Sequence, residues 1–474
     1  MNTRKDVLFI NLPSAFTAYA GSKLHAGLQI YPLLSFAMLA AVLREKGARV
    51  SILDLGLDAS FDKLDATLEE TKPEIVGITA TTPLFFEASE LSRRVRKKLG
   101  AGVKIILGGP HATALPEECL LSSEFDIVVY CEGEETIAEI WDKKNLSEIK
   151  GIYYKKDGKI FSTGDRGVIE NLDSLPMPAL DLYAIKNYRC SRALSRESPI
   201  SNYETSRGCP SRCSFCNKNI SGRKYRMKSP EKVIEELKYI LSLGVKELRF
   251  IDDQFNANPQ HAKEVCEAII REGLHFPWSL AAGIRVNCAD VELLKLAKRA
   301  GCYQVGIGFE SGDQDSLDSI DKDATIEESI ECMQAVKKAG LESIGFFMLG
   351  LPADTEKSLN KTINFAIKLM PDLAKITITI PFPGTHLFEQ YEKQGLIKTR
   401  DWTKYNFHNA GDVYRHPNLD FETLMKYYLL FYRKFYLNPK YISRRFVKSL
   451  LNLSIHRDIY YALQTFFPKL LPHR

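Results

Sequence analysis

Three cysteines sit within eight residues, Cys209-Pro-Ser-Arg-Cys213-Ser-Phe-Cys216, a C-x3-C-x2-C spacing. Thiolates this close together hold a metal centre in a reducing compartment more readily than they form disulfides. A structural zinc site closes on four protein ligands. A fourth is hard to supply here, because no His occurs between residues 112 and 260 and the nearest other thiol is Cys190, in a connector. Three thiolates suit a four-iron cluster with one iron left open to a substrate or a second cofactor.

The elements that must position these cysteines follow from the rest of the chain. At 474 residues, it is long enough for two or three domains. An apolar fraction of 45% and a charged fraction of 26% are those of a globular protein, and a net charge of +5 is slight for this length. The start of the chain lacks the apolar length and cleavage site of a signal peptide. No run of about 18 apolar residues suggests a membrane span. A cytoplasmic location is expected.

Short β-rich runs at 7–12, 50–55, 75–79, 104–107 and 127–130 alternate with helical patterns at 33–46, 60–71, 85–99 and 116–122. Buried strands separated by helices predict a doubly wound parallel sheet. Residues 149–163 change character: Ile152-Tyr153-Tyr154 and Ile160-Phe161 flank Asp157-Gly158, a hairpin turn signal. A second βα series has strand candidates at 203–206, 247–251, 278–281, 304–309, 343–349 and 375–381. Six such units predict a partial (β/α)6 barrel, whose chemistry belongs at the C-terminal strand ends; the cysteines follow the first of these strands. The expected division is 1–148, a hairpin and linker at 149–199, the barrel at 200–395 and a helical region at 396–474.

The cysteine spacing, with Phe215 before the third cysteine, resembles the radical S-adenosylmethionine (SAM) superfamily. The resemblance extends over about 200–390. It implies a [4Fe-4S] cluster on Cys209, Cys213 and Cys216. The open iron of that cluster binds SAM, and its reduction yields a 5′-deoxyadenosyl radical that abstracts hydrogen. By the same resemblance Asp252 or Asp253, in Phe250-Ile251-Asp252-Asp253-Gln254-Phe255, meets the SAM amino group, although the Gly-Gly-Glu common in the family is absent. Arg285 would meet the SAM carboxylate, and Glu310 the ribose. Gly350, in Gly345-Phe346-Phe347-Met348-Leu349-Gly350-Leu351-Pro352, belongs to the element that packs on adenine. Pro381-Phe382-Pro383-Gly384-Thr385 resembles the last strand end of cobalamin-binding members. Taken singly, each acidic residue is equally well read as a loop cap.

The N-terminal sheet upstream of such a barrel looks like the cobalamin-binding domain of the cobalamin-dependent subclass. Thr79, Thr82, Gly108, Gly109, Glu132 and Gly133 would line the cofactor edge, where small residues admit close approach. The Asp-x-His-x-x-Gly motif is absent. The loop Leu12-Pro13-Ser14-Ala15-Phe16 holds no His, and His25 lacks the Asp and Gly partners, so base-off cobalamin without a protein His ligand is expected. His111, beside Gly108-Gly109-Pro110, is read as a loop residue rather than a cobalt ligand. Two rival readings are a dinucleotide fold, which lacks its Gly-x-Gly-x-x-Gly, and a degenerate domain without ligand.

Residues 424–448 carry Tyr427, Phe431 and Phe435 beside Tyr428, Tyr432 and Tyr436, with seven Lys and Arg and no acidic residue. This reads first as a helical cap on the barrel, next as contact with a membrane surface or lipid, and last as a polyanion site. No nucleic-acid partner is expected. The resemblance implies C-methylation of an unactivated carbon in a small, apolar or lipid-like substrate, with an external donor such as flavodoxin or ferredoxin. Radical cyclisation without methyl transfer is the second reading. A non-enzymatic cluster and cobalamin regulator is the third, and the SAM-binding strand ends argue against it.

Overall fold

The computed structural model describes residues 6–13, 30–57, 61–190, 195–406 and 409–451. The loop positions Ser14, Ala15 and Phe16, together with His25 and residues 452–474, lie outside the described residues.

Strands β1 (Val7–Asn11), β2 (Val50–Asp54), β3 (Ile75–Thr79), β4 (Lys104–Gly108) and β5 (Ile127–Val129) form a parallel sheet in the order β2-β1-β3-β4-β5. Their residues alternate between two cores. Leu8, Ile10, Val76, Ile78, Ile105 and Leu107 face one layer of helices; Val7, Phe9, Ile75 and Ile106 face the other. Burial on both faces explains why these strands read as continuous apolar runs.

The hairpin β6 (Ile152–Lys156) and β7 (Lys159–Ser162) joins this sheet antiparallel to β5, with Tyr154 opposite Ile127. It therefore extends the first sheet rather than standing apart in a linker. The physical reason is the free edge of β5, whose backbone groups the hairpin satisfies while burying Ile152 and Tyr154.

The second sheet has six parallel strands: β8 (Ile200–Tyr203), β11 (Glu247–Phe250), β12 (Trp278–Ile284), β13 (Cys302–Glu310), β14 (Glu342–Leu349) and β15 (Leu373–Ile378), in the order β15-β14-β13-β12-β11-β8. This is the open, partial barrel expected. The first strand is displaced from its sequence-based position at 203–206. It ends at Tyr203, and Ser206–Arg207 (β9) instead pairs antiparallel with Arg226–Met227 (β10). That two-residue ladder is the neck of the loop carrying the three cysteines.

The aromatic tail is two helices, Phe421–Tyr436 and Pro439–Leu451. Pro439 cannot continue the first helix, since it lacks the amide proton the ladder needs. Tyr427, Phe431 and Phe435 are buried. Tyr436 lies against the outer edge of β15: its hydroxyl accepts from the Ala374 amide at 3.1 Å and donates to the Ala374 carbonyl at 2.9 Å. A side chain thus closes an edge that would otherwise be open.

Replacing Tyr436 by Phe leaves both Ala374 groups without this partner. Denaturant unfolding of Tyr436→Phe should show a loss of about 1–2 kcal/mol; an unchanged midpoint would mean that the hydroxyl does not close the edge.

Candidate functional site

The cysteine loop is held from below by three consecutive residues at the end of β11. Asp252 Oδ1 accepts from the Thr205 amide (3.0 Å), the Thr205 hydroxyl (2.5 Å) and the Ser206 hydroxyl (2.6 Å). Asp253 Oδ2 accepts from the Gly208 amide at 2.9 Å. Gln254 Oε1 accepts from Cys209 Sγ at 3.2 Å and from the Ser211 hydroxyl at 3.4 Å. Gly208 has φ +85° and a Cβ there would meet the Lys224 carbonyl oxygen at 2.1 Å, so the neck tolerates only glycine.

These contacts change the reading of Asp252 and Asp253. Both act first as anchors of the loop. Burial raises the Asp252 pKa, against the opposing hydrogen bonds from Ser206 and Thr205. Its Oδ2 is buried without a partner among the described residues and is the one acceptor left on that carboxylate. Gln254, given no role from the sequence, touches a cysteine directly. Its Nε2 also reaches Cys288 Sγ at 3.7 Å, a fourth thiol that spacing could not associate with the loop.

All three loop cysteines are free thiols. Burial raises the Cys216 pKa, the Lys218 ammonium opposes it, and Cys213 and Cys209 lie near enough to add to it. Among the described residues no three His, Cys, Asp or Glu side chains are arranged to hold a metal ion. The fit to a cluster therefore rests on the donor set: three thiols on one anchored loop with cationic neighbours.

Arg285, just past the end of β12, is buried beside this loop. Its Nη2 donates to the carbonyls of Lys322 (2.6 Å) and Asp323 (2.8 Å), while Nη1 lies 3.9 Å from Cys213 Sγ. Glu310, at the end of β13, holds φ +59°, a rare conformation for a non-glycine residue, and pairs with the buried Lys322 ammonium at 2.6 Å. Gly350 has φ +77°; its amide and that of Leu351 both donate to Asp354 Oδ2 at 2.9 Å. The strand ends thus bring Asp252, Arg285 and Glu310 to the side of the barrel where the cysteines lie, and Gly350 ends the next strand of the same sheet.

The C-terminal edge of the first sheet faces the same loop. Gly384, after β15, is so close to Ala114 and Asn217 that a Cβ on it would lie 2.9 Å and 2.8 Å from their side chains. Ala114 ends the short helix that opens at Pro110, and Asn217 follows Cys216. At the strand ends, Gly109 has φ +96°, with Thr79 Oγ1 at 2.4 Å from a Cβ placed there. Gly108 lies beside Thr79 across the β3–β4 ladder, and Gly133 starts the Glu134–Trp141 helix. His111 is fully buried. Its Nδ1 lies 3.3 Å from the Thr82 hydroxyl, and its ring lies 4.4 Å from Phe85 and 5.3 Å from Trp402.

Glu132, expected at the cofactor edge, is engaged in ion pairs and a backbone hydrogen bond. Oε2 accepts from the Ile169 amide at 2.7 Å and from Arg226 Nη1 at 2.9 Å, and Oε1 lies 3.3 Å from Arg207 Nη1. Arg207 also pairs with Glu134 and Glu204, each at 2.7 Å. This buried group of two arginines and three glutamates ties the first sheet to the neck of the cysteine loop. Sequence reasoning missed it because its members lie up to 94 residues apart.

Both halves of the chain are similar to known proteins. The Radical SAM superfamily model matches residues 203–366, and the B12 binding domain model matches residues 25–141. An uncharacterized methyltransferase of Pyrococcus horikoshii is 35% identical over 421 residues, covering 87% of this chain and 89% of that protein. The anaerobic magnesium-protoporphyrin IX monomethyl ester cyclase of Cereibacter sphaeroides is 32% identical over 361 residues, covering 73% of this chain and 58% of that enzyme. The solved structure of the cobalamin-dependent S-adenosylmethionine radical enzyme OxsB with aqua-cobalamin bound aligns with a TM-score of 0.75 and 18% identity, over 97% of this chain and 72% of that one.

A metal-bound Cys209 thiolate can only accept, so its partner amide must then present Nε2. Gln254→Leu removes that donor. The variant should keep its iron on anaerobic reconstitution but show a more negative cluster potential in an EPR-monitored redox titration, because hydrogen bonds to cluster sulfurs favour the reduced form. An unshifted potential would remove Gln254 from this role. Burial also pushes the His111 pKa from 6.5 down to about 3. The unfolded chain takes up this proton near 6.5 and the folded chain does not. Stability is therefore full above that pH and falls as pH drops toward 3, by up to about 1.4 kcal/mol per unit. The slope of unfolding free energy against pH should be shallower in His111→Leu; equal slopes would mean that this imidazole is not kept neutral.

Proposed function

Because the chain belongs to the radical SAM proteins that carry a B12-binding domain, we propose that it is a C-methyltransferase acting on an unactivated carbon of a small, apolar or lipid-like molecule. The observation that carries this reading is the seam between the two sheets. The glycine-lined strand ends of the first sheet are fastened against the cysteine loop of the second, so ligands at both edges are neighbours.

On this reading Cys209, Cys213 and Cys216 hold the [4Fe-4S] cluster, and Asp252, Asp253 and Gln254 hold their loop. Arg285, beside Cys213, offers a cation to the SAM carboxylate. The orphan Oδ2 of Asp252 offers an acceptor to its ammonium. Glu310, oriented by Lys322, serves the ribose, and the Gly350 turn admits adenine. Thr79, Thr82, Gly108, Gly109 and Gly133 line the cobalamin edge. When bound, these groups supply radical generation and methyl transport. The balanced outcome is one substrate C–H, two SAM and two electrons giving a C–CH3 product, 5′-deoxyadenosine, methionine and S-adenosylhomocysteine. The electrons come from an external donor of the flavodoxin or ferredoxin class. Enclosure of His111 by Phe85, Trp402 and Thr82 favours base-off cobalamin with no imidazole on cobalt. Likeness to the ester cyclase supports a second reading, radical ring closure in which no methyl moves.

Anaerobic reconstitution should give about four irons per chain, and reduction with SAM should release 5′-deoxyadenosine. Cys213→Ala should abolish both. With deuteromethyl-SAM and substrate, label in the product supports methyl transfer, whereas an unlabelled cyclised product replaces it with the second reading. Bound zinc without iron would end both.

A further inference from the structure

The Pro439–Leu451 helix is amphipathic in the inverted sense. Its inner face is polar. The Tyr441 hydroxyl donates to the Asp372 carbonyl at 2.9 Å, Lys448 Nζ lies 2.6 Å from Asp372 Oδ1, and Arg444 donates to the Met370 carbonyl at 2.6 Å. At 3.6 residues per turn the opposite arc carries Ile442, Phe446 and Leu450 in one row and Val447 and Leu451 in the next, all exposed. Phe446 is 55% exposed and Leu451 80%. Of the eleven exposed large hydrophobic side chains among the described residues, seven fall between Leu429 and Leu451. The apolar exposure is therefore a local patch and not a general property of the surface.

The charge of the surrounding chain bears on what would cover the patch. Residues 423–457 contain eight Lys and Arg and no Asp or Glu. Beside the apolar arc a cleft of about 520 Å³ is lined by Gly340, Ser443, Arg444, Val447, Lys448 and Leu451. Arg444 and Lys448 in that cleft are engaged with Met370 and Asp372, whereas Arg433, Lys434 and Lys440 of the same stretch are exposed, which matches a surface of anionic heads over apolar chains. An apolar protein partner would use the arc but leave these three cations idle, and a polyanion would do the reverse.

We propose that the outer face of the Pro439–Leu451 helix docks this protein onto an anionic lipid bilayer. The structure narrows the surface to this helix. The aromatic residues Tyr427, Phe431 and Phe435 of the preceding helix are buried in the fold and take no part. The inference is independent of the reaction at the cysteine loop.

Full-length protein should float with phosphatidylcholine vesicles doped with phosphatidylglycerol, and about tenfold less with phosphatidylcholine alone. Phe446→Ser combined with Leu450→Ser should cut the partition by about tenfold or more. Reductive 5′-deoxyadenosine release should be unchanged, since both side chains point away from the fold. Three outcomes overturn the proposal. The protein stays unbound with either vesicle. Light scattering shows a dimer that the same double substitution dissolves, with no vesicle binding, which makes the face a subunit interface. Vesicle binding emerges only after removal of residues 452–474, which makes the chain's own C-terminal segment the cover.

Discussion

The structure depends on how one loop is held. Cys209, Cys213 and Cys216 stand on a segment with little secondary structure of its own, and its position is set by the end of β11. Asp252, Asp253 and Gln254 reach in succession to Thr205 and Ser206, to Gly208, and to Cys209. Carboxylates accepting backbone amides are among the stronger hydrogen bonds, and those of Asp252 are also shielded from water. A loop meant to hold three sulfurs in fixed relation needs this support, because a loop without it would lose its geometry to conformational entropy.

The second constraint is the buried ionic group at the seam. Arg207 and Arg226 lie among Glu132, Glu134 and Glu204, where removing one partner typically costs about 3–5 kcal/mol, against about 0–1 kcal/mol for an exposed pair. That difference decides which salt bridges matter. The many surface pairs contribute little to the relative placement of the sheets, whereas this group fixes it. Arg207 belongs to both constraints: it forms the neck of the cysteine loop and holds the first sheet.

Some of this was legible along the chain. The β3 strand and the Phe85–Leu99 helix end where apolar pattern and flanking residues place them, because each buries a continuous stripe. The β8 strand, Ile200–Tyr203, lies three residues before the position its apolar pattern predicts. Its boundary is set by Asp252 drawing Thr205 and Ser206 out of the strand direction, and pattern cannot register that contact. The 152–162 hairpin was legible as a hairpin but not as an extension of the first sheet, since the edge it covers lies on another element. In the tail, the aromatic periodicity was visible, but which rows face inward depended on the edge of β15.

The sequence by itself determined the donor set, the order of strands and helices, and the two domain types, because these depend on residue identity, local spacing and local burial patterns. Only the tertiary structure decided that Glu132 joins an ionic group with Arg207 and Arg226, that Gln254 touches Cys209, and that the Pro439–Leu451 helix turns its apolar side outward. Each of these depends on which groups desolvate one another across long chain separations, and that is settled only when the sheets have packed.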